Sequence, residues 1–155
     1  EVKQAVLEAA IQAPTAGNMA LYTILDITDP EMKACLAKSC DDQPFIAQAK
    51  MVLIFCADCK KWYDAYLAVG CQTRKPGVGD LMLSVTDAMI AAQNAVVAAQ
   101  SMGIGSCYIG DFLENYETQK EILNLPKYVV PAVVVVFGYP TEQQRERVKP
   151  PRFSV

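Results

Sequence analysis

The 155-residue sequence contains no histidine. That absence removes the commonest general base, the commonest metal ligand and the usual partner of a nucleophilic serine or cysteine. An enzyme built this way leaves its chemistry to a cofactor. Basic runs are scarce too: the net charge is −3, and the one modest cluster is KPPR at 149–152. A nucleic-acid partner, which needs a series of cations against its phosphates, is therefore not expected. The opening residues show no secretory-signal pattern, so the six cysteines, Cys35, Cys40, Cys56, Cys59, Cys71 and Cys107, are expected as reduced thiols in a cytoplasmic setting. Cys56-Ala57-Asp58-Cys59 is a CxxC, but no second pair completes a four-ligand zinc site, and Cys56 continues the apolar run MVLIFCA where a redox motif would open a helix. Core packing is the reading of that pair, and no metal site is expected.

Charge is missing altogether from 88–108, inside a long apolar segment. Its glutamines, Asn94, its many alanines and Gly103 and Gly105 leave too little strongly apolar length to span ~30 Å of hydrocarbon. We read it as a buried helix and expect no membrane. A helix apolar nearly all round needs more cover than one small sheet supplies, which points to a subunit interface along it. An acidic change at Ala95 tests that interface if Ala95 faces the partner.

What is present is a mixture of helical and strand patterns in one domain-sized chain, with 52% apolar residues to fill a core. The periodicities predict helices over 2–13, 30–40, 60–68, 80–102 and 115–124, and strands over 21–27, 51–57, 106–109 and 131–137. Asp29-Pro30-Glu31 reads as an N-cap followed by a first-turn proline and acid, and Asn115 as the cap of a later helix. MVLIF and AVVVVF are continuous apolar runs, suited to central strands covered on both faces. Between the first helix and first strand stands APTAGN (13–18), where a plain turn would suffice, yet two side chains there can hydrogen-bond a ligand.

The ordered set of APTAGN, QPFIAQAKMVLIFCAD, MGIGSCYIGDF and LNLPKYVVPAVVVVFGYP resembles the FMN-dependent nitroreductase family over nearly the whole chain. The resemblance implies an α+β fold, a mixed but mainly antiparallel sheet flanked by helices, in an intertwined homodimer with FMN at the subunit interface. It implies a single flavin-binding domain over 1–155. It gives the 14–18 loop a role against the partner's flavin, with Asn18 hydrogen-bonding the cofactor and Thr15 near its ribityl-phosphate side, while Pro14 fixes the chain. Tyr108, Ile109, Gly110 and Asp111 correspond to the stretch that passes the flavin ring, with backbone amides of Gly110 and Asp111 toward its reactive edge. Gln43 corresponds to a side-chain amide at the pyrimidine edge, and Lys149 and Arg152 to a phosphate-binding tail, with Arg74 a weaker candidate.

The activity implied is oxidoreduction, with NADH or NADPH reducing FMN and a nitroaromatic, quinone or similar flat acceptor then using the same site by a ping-pong scheme. No side chain need act as acid or base in it, which fits a sequence without histidine. Trp62, Tyr63 and Tyr66 fall in a region that in the family lids the pocket, where they either stack on an acceptor or serve core or interface packing. Two alternatives share the sequence: a flavin-binding or storage module with little turnover, and a specialised reductase or dehalogenase on the same scaffold. The family's arginine-rich opening segment and C-terminal arm are not found in this sequence, which is either a trimmed version of a longer protein or a poor flavin binder.

Overall fold

The computed structural model describes residues 1–148. Helix α1 (Val2–Ile11) ends three residues before Pro14, because a residue preceding proline is pushed out of helical geometry. A single 3-10 turn (Ala16–Asn18) then leads into β1 (Tyr22–Asp26). Helix α2 (Pro30–Ser39) starts as the sequence predicts: Asp29 Oδ2 accepts the Met32 amide at 2.9 Å and Pro30 fills the first turn. One turn, α3 (Pro44–Gln48), precedes β2 (Met51–Asp58); α4 (Lys60–Ala68) and the long α5 (Val78–Ser101) follow, then β3 (Gly105–Ile109). The remaining elements are α6 (Asp111–Glu114), α7 (Tyr116–Ile122), β4 (Val129–Gly138) and α8 (Glu142–Glu146). The region predicted as one helix over 115–124 is thus shorter and preceded by α6. Asn115 stands at the boundary, but its amide donates to the Asp111 carbonyl instead of accepting from α7, so it is not the side-chain cap the sequence suggested.

The strands form one sheet in the order β1-β2-β4-β3, and all three pairings are antiparallel. The two continuous apolar runs are its central strands, as expected of strands buried on both faces. Pro131, which has no N–H to give, sits in central β4 where the register slips between Phe55 and Cys56 of β2; a bulge is where a sheet tolerates proline.

Alternate residues feed two cores. Leu53, Phe55, Val133, Val135 and Phe137 pack against α1 and α5 on one face. Val52, Ile54, Cys56, Val134 and Val136 meet Leu36 of α2, Ile46 of α3 and Phe112 of α6 on the other. Helix α5 lies on the first face through Ala88, Ala91, Ala92, Ala95 and Ala99, all completely buried. Ala95 therefore faces the domain's own sheet and cannot be a partner-facing probe. The other side of α5 exposes Met82, Leu83, Met89, Ile90 and Val97, an apolar stripe at helical spacing with nothing over it among the described residues. By length and composition α5 could cross a membrane, but its alanine side is core.

Candidate functional site

The 12–21 loop carries the first group of expected site residues, and its backbone is tied down from beneath. Asp87 of α5, 2% exposed, accepts the Ala16 amide on Oδ1 at 3.0 Å and the Leu21 amide on Oδ2 at 3.2 Å. Thr15 Oγ1 accepts the Ala20 amide at 3.1 Å, which leaves the hydroxyl proton available to a ligand. From α4, Trp62 Nε1 donates to the Met19 carbonyl at 2.7 Å, and Lys61 Nζ donates to the carbonyls of Ala20 and Tyr22 at 3.0 and 2.7 Å. Pro14 is exposed at the start of the loop. Gly17 and Asn18 both hold φ near 57°, a left-handed conformation that glycine takes freely and asparagine tolerates. At the tip, Asn18 is exposed, and its side-chain amide has no hydrogen-bond partner among the described residues.

The second group lies at the end of β3. Ile109 is buried in the second core, so only its backbone is available, while the Tyr108 hydroxyl donates to Gln93 Oε1 at 3.2 Å. Burial raises the Tyr108 phenol above its ordinary pKa. Gln43 Nε2 donates to Asp111 Oδ2 at 2.6 Å and to the Cys40 carbonyl at 2.8 Å. Both neighbours are acceptors only, so the free end of the Gln43 amide is its carbonyl oxygen. Two left-handed residues, Asp41 and Asp42, bring the chain round to that position. The amides of Gly110 and Asp111 have no acceptor among the described residues. Gly110 has ordinary helical angles, and a Cβ there would touch nothing within 4 Å. Neither backbone strain nor crowding within the chain calls for glycine at that position.

The sequence did not disclose how these groups are distributed. β1 and β3 are opposite edges of the sheet, about 14 Å apart by three strand spacings of ~4.8 Å. The 14–18 loop and the 108–111 turn are thus brought to opposite edges of the sheet at the same end of it, and no hydrogen bond joins them among the described residues. A groove of about 260 Å³ between Val2, Lys3, Met51, Phe137 and Tyr139 lies at the far end of the strands from that loop. Lys149 and Arg152 lie outside the described residues. Arg74 is less available than the sequence implied, because its guanidinium clasps Asp80 through Nη1 and, at 2.9 Å, Nη2. In α4, Trp62 and Tyr66 lie with centroids 6.0 Å apart and planes tilted by 38°, and Tyr63 meets Tyr128 edge-on.

Asp87 is the site-forming residue that sequence reasoning missed. The signal was present: a lone carboxylate at the edge of a long segment with no other charge. Cys56 is buried in β2 and its thiol is pushed up to about 12 by burial and by Asp58, while Cys59 Sγ lies 3.3 Å from Ser84 Oγ. Burial is likewise the main cause that raises the Cys59 thiol. Thiols held in their neutral form have little nucleophilic or ligating power, and the described residues contain no cluster able to hold a metal ion.

The two-core α+β sheet has the nitroreductase class of fold, since solved structures of that class superpose on nearly the whole chain. The chain belongs to the nitroreductase family, whose model matches residues 1–139. It is 32% identical to an oxygen-insensitive NADPH nitroreductase of Salmonella typhimurium over 141 residues, 90% of this chain and 57% of that protein. It is 30% identical to an FMN reductase (NAD(P)H) of Bacillus subtilis, covering 97% of this chain and 61% of that one. Among solved structures, NfrA1 nitroreductase from B. subtilis superposes with a TM-score of 0.90 at 29% identity, over 97% of this chain and 61% of that chain. The chain spans about three fifths of the length of the curated relatives it matches.

Proposed function

We propose that the protein is an FMN-dependent oxidoreductase that takes reducing equivalents from NADH or NADPH and passes them to a nitroaromatic, quinone or similar flat acceptor in the same site by a ping-pong scheme. Residues 1–155 form its flavin-binding unit, and it works as a homodimer with no nucleic-acid or membrane partner. A cytoplasmic setting suits six unpaired cysteines.

One observation carries this reading: two groups of ligand-ready atoms sit on opposite edges of a single sheet, beside a helix with an uncovered apolar stripe. Pairing two copies through α5 covers the stripe and lets the loop of one copy meet the turn of the other. The donor set fits a flavin. Asn18 offers a donor and an acceptor, Gln43 offers a carbonyl oxygen suited to an imide N–H, and Gly110 leaves room for a flat ring to approach free backbone amides. Bound FMN supplies the redox chemistry. The chain's residues bind and orient: Gly110 and Asp111 amides favour negative charge at the ring, and Lys149 and Arg152 hold the phosphate. Trp62 borders the Asn18 loop and Tyr66 lies beside Trp62, where the two rings flank a flat acceptor.

The test is an FMN titration of the purified full-length protein, followed by NAD(P)H oxidation with a quinone. We expect about one FMN per chain and quinone-dependent turnover. Folded protein that takes up no FMN overturns the reading.

A further inference from the structure

Asp87 takes no part in the chemistry proposed above, yet its burial demands an account. It is one of two charged side chains on α5, it is 2% exposed, and no ion pair neutralises it among the described residues. Burying a carboxylate is costly unless its oxygens are well satisfied. Here each oxygen accepts one backbone amide, from Ala16 at 3.0 Å and from Leu21 at 3.2 Å, the two ends of the loop whose tip is Asn18.

We propose that Asp87 is the positioning residue of this loop: its carboxylate brackets both ends against α5 and so fixes where Asn18 is presented. The role rests on the reading in which Asn18 faces flavin. The bracket needs a carboxylate. An asparagine in the same place offers one acceptor and one donor, so one of the two amides then meets an N–H instead of an oxygen. Helix α5 carries the exposed Met82, Met89 and Val97 on its other side, so the bracket also registers the loop against the surface that a second copy covers. Asn94 gives a built-in contrast. Its side chain donates to the Ala9 carbonyl at 3.1 Å, tying the same helix to α1 without touching the loop.

The chain supplies its own reporter, because the single tryptophan, Trp62, donates its indole N–H to Met19 inside the loop. In wild-type protein the Ala16 and Leu21 amides should exchange slowly with solvent; free exchange of either overturns the bracket without any variant. Asp87→Asn should speed that exchange and shift the Trp62 indole resonance. FMN affinity should fall about tenfold, the scale of one charge-assisted bond. Asp87→Glu, which keeps the charge but overreaches by a methylene, should also weaken FMN binding and serves if the asparagine variant does not fold. Asn94→Ala should lower the melting temperature and leave the indole signal and FMN affinity in place. If Asp87→Asn behaves like Asn94→Ala, the residue is structural and the inference fails while the flavin reading stands. Wild-type protein that binds no FMN sinks both.

Discussion

In the loop that leads into β1 the backbone is held and a side chain is offered; in the turn that leaves β3 the side chains are held and the backbone is offered. The first has the amides of Ala16, Asn18, Met19, Ala20 and Leu21 all paired, with the Asn18 side chain free among the described residues. The second has Ile109 in the core, Tyr108 bonded to Gln93 and Asp111 bonded to Gln43, with the Gly110 and Asp111 amides free among the described residues. The difference tells which kind of substitution each can survive. The loop depends on the identity of its tip, and the turn depends on room for something to come close.

The comparison presupposes that loop and turn meet across two copies, so the largest effect should come from separating the copies. Ile90→Glu places a charge in the exposed stripe of α5 without touching the alanine side. We expect loss of both dimer and FMN binding with the secondary structure intact; a variant that sediments as a dimer shows that α5 is not the interface. Next, Gly110→Val should fold normally, because a Cβ there has open space within 4 Å among the described residues. It should weaken FMN by ~100-fold, the upper end of overpacking costs. Unchanged flavin affinity in that variant would mean the turn is not approached.

Asn18→Leu should cost about tenfold in FMN affinity by leaving a flavin group unsatisfied. Arg152→Ala should cost a similar factor, and here riboflavin, which lacks the phosphate, is the control. Equal losses for the two ligands would mean that Arg152 does not touch the phosphate. The smallest effect belongs to a pair outside both regions. Arg74 and the Gly77 amide hold the Asp80 carboxyl down to about 2 from its ordinary 3.8. A depressed carboxylate stabilises the fold above its unfolded value and loses that contribution as pH falls through the folded one. Denaturation of wild type and Asp80→Asn should differ slightly above pH 4 and converge toward pH 2. Arg74 is largely exposed and Asp80 partly so, and salt should shrink the difference further.

Much of the fold was legible because long elements carry periodic patterns. The two apolar runs announced the central strands, and Asp29-Pro30 announced α2. One-turn helices such as α3, α6 and α8 are too short to show a period, so they passed unread. Ala95 was indistinguishable from Val97 as a partner-facing position, because a helix apolar on both sides does not say which side its own sheet takes. The family motifs marked out Asn18, Gln43 and Gly110. Their sorting onto opposite edges follows from strand order, which depends on pairings distant in sequence and leaves no local signature.

That strand order also governs when the molecule can fold. The two central strands meet only across a long interval, Asp58 against Val129 and Met51 against Phe137. Both cores draw on β4, so neither can close until β4 has emerged from the ribosome. Long-range pairings of this kind are slow to form, and they leave apolar surface exposed in the meantime. A nascent chain halted anywhere before β4 would carry MVLIFCAD paired with β1 on one edge only and α5 over half of its sheet, which makes it a substrate for chaperones or proteases.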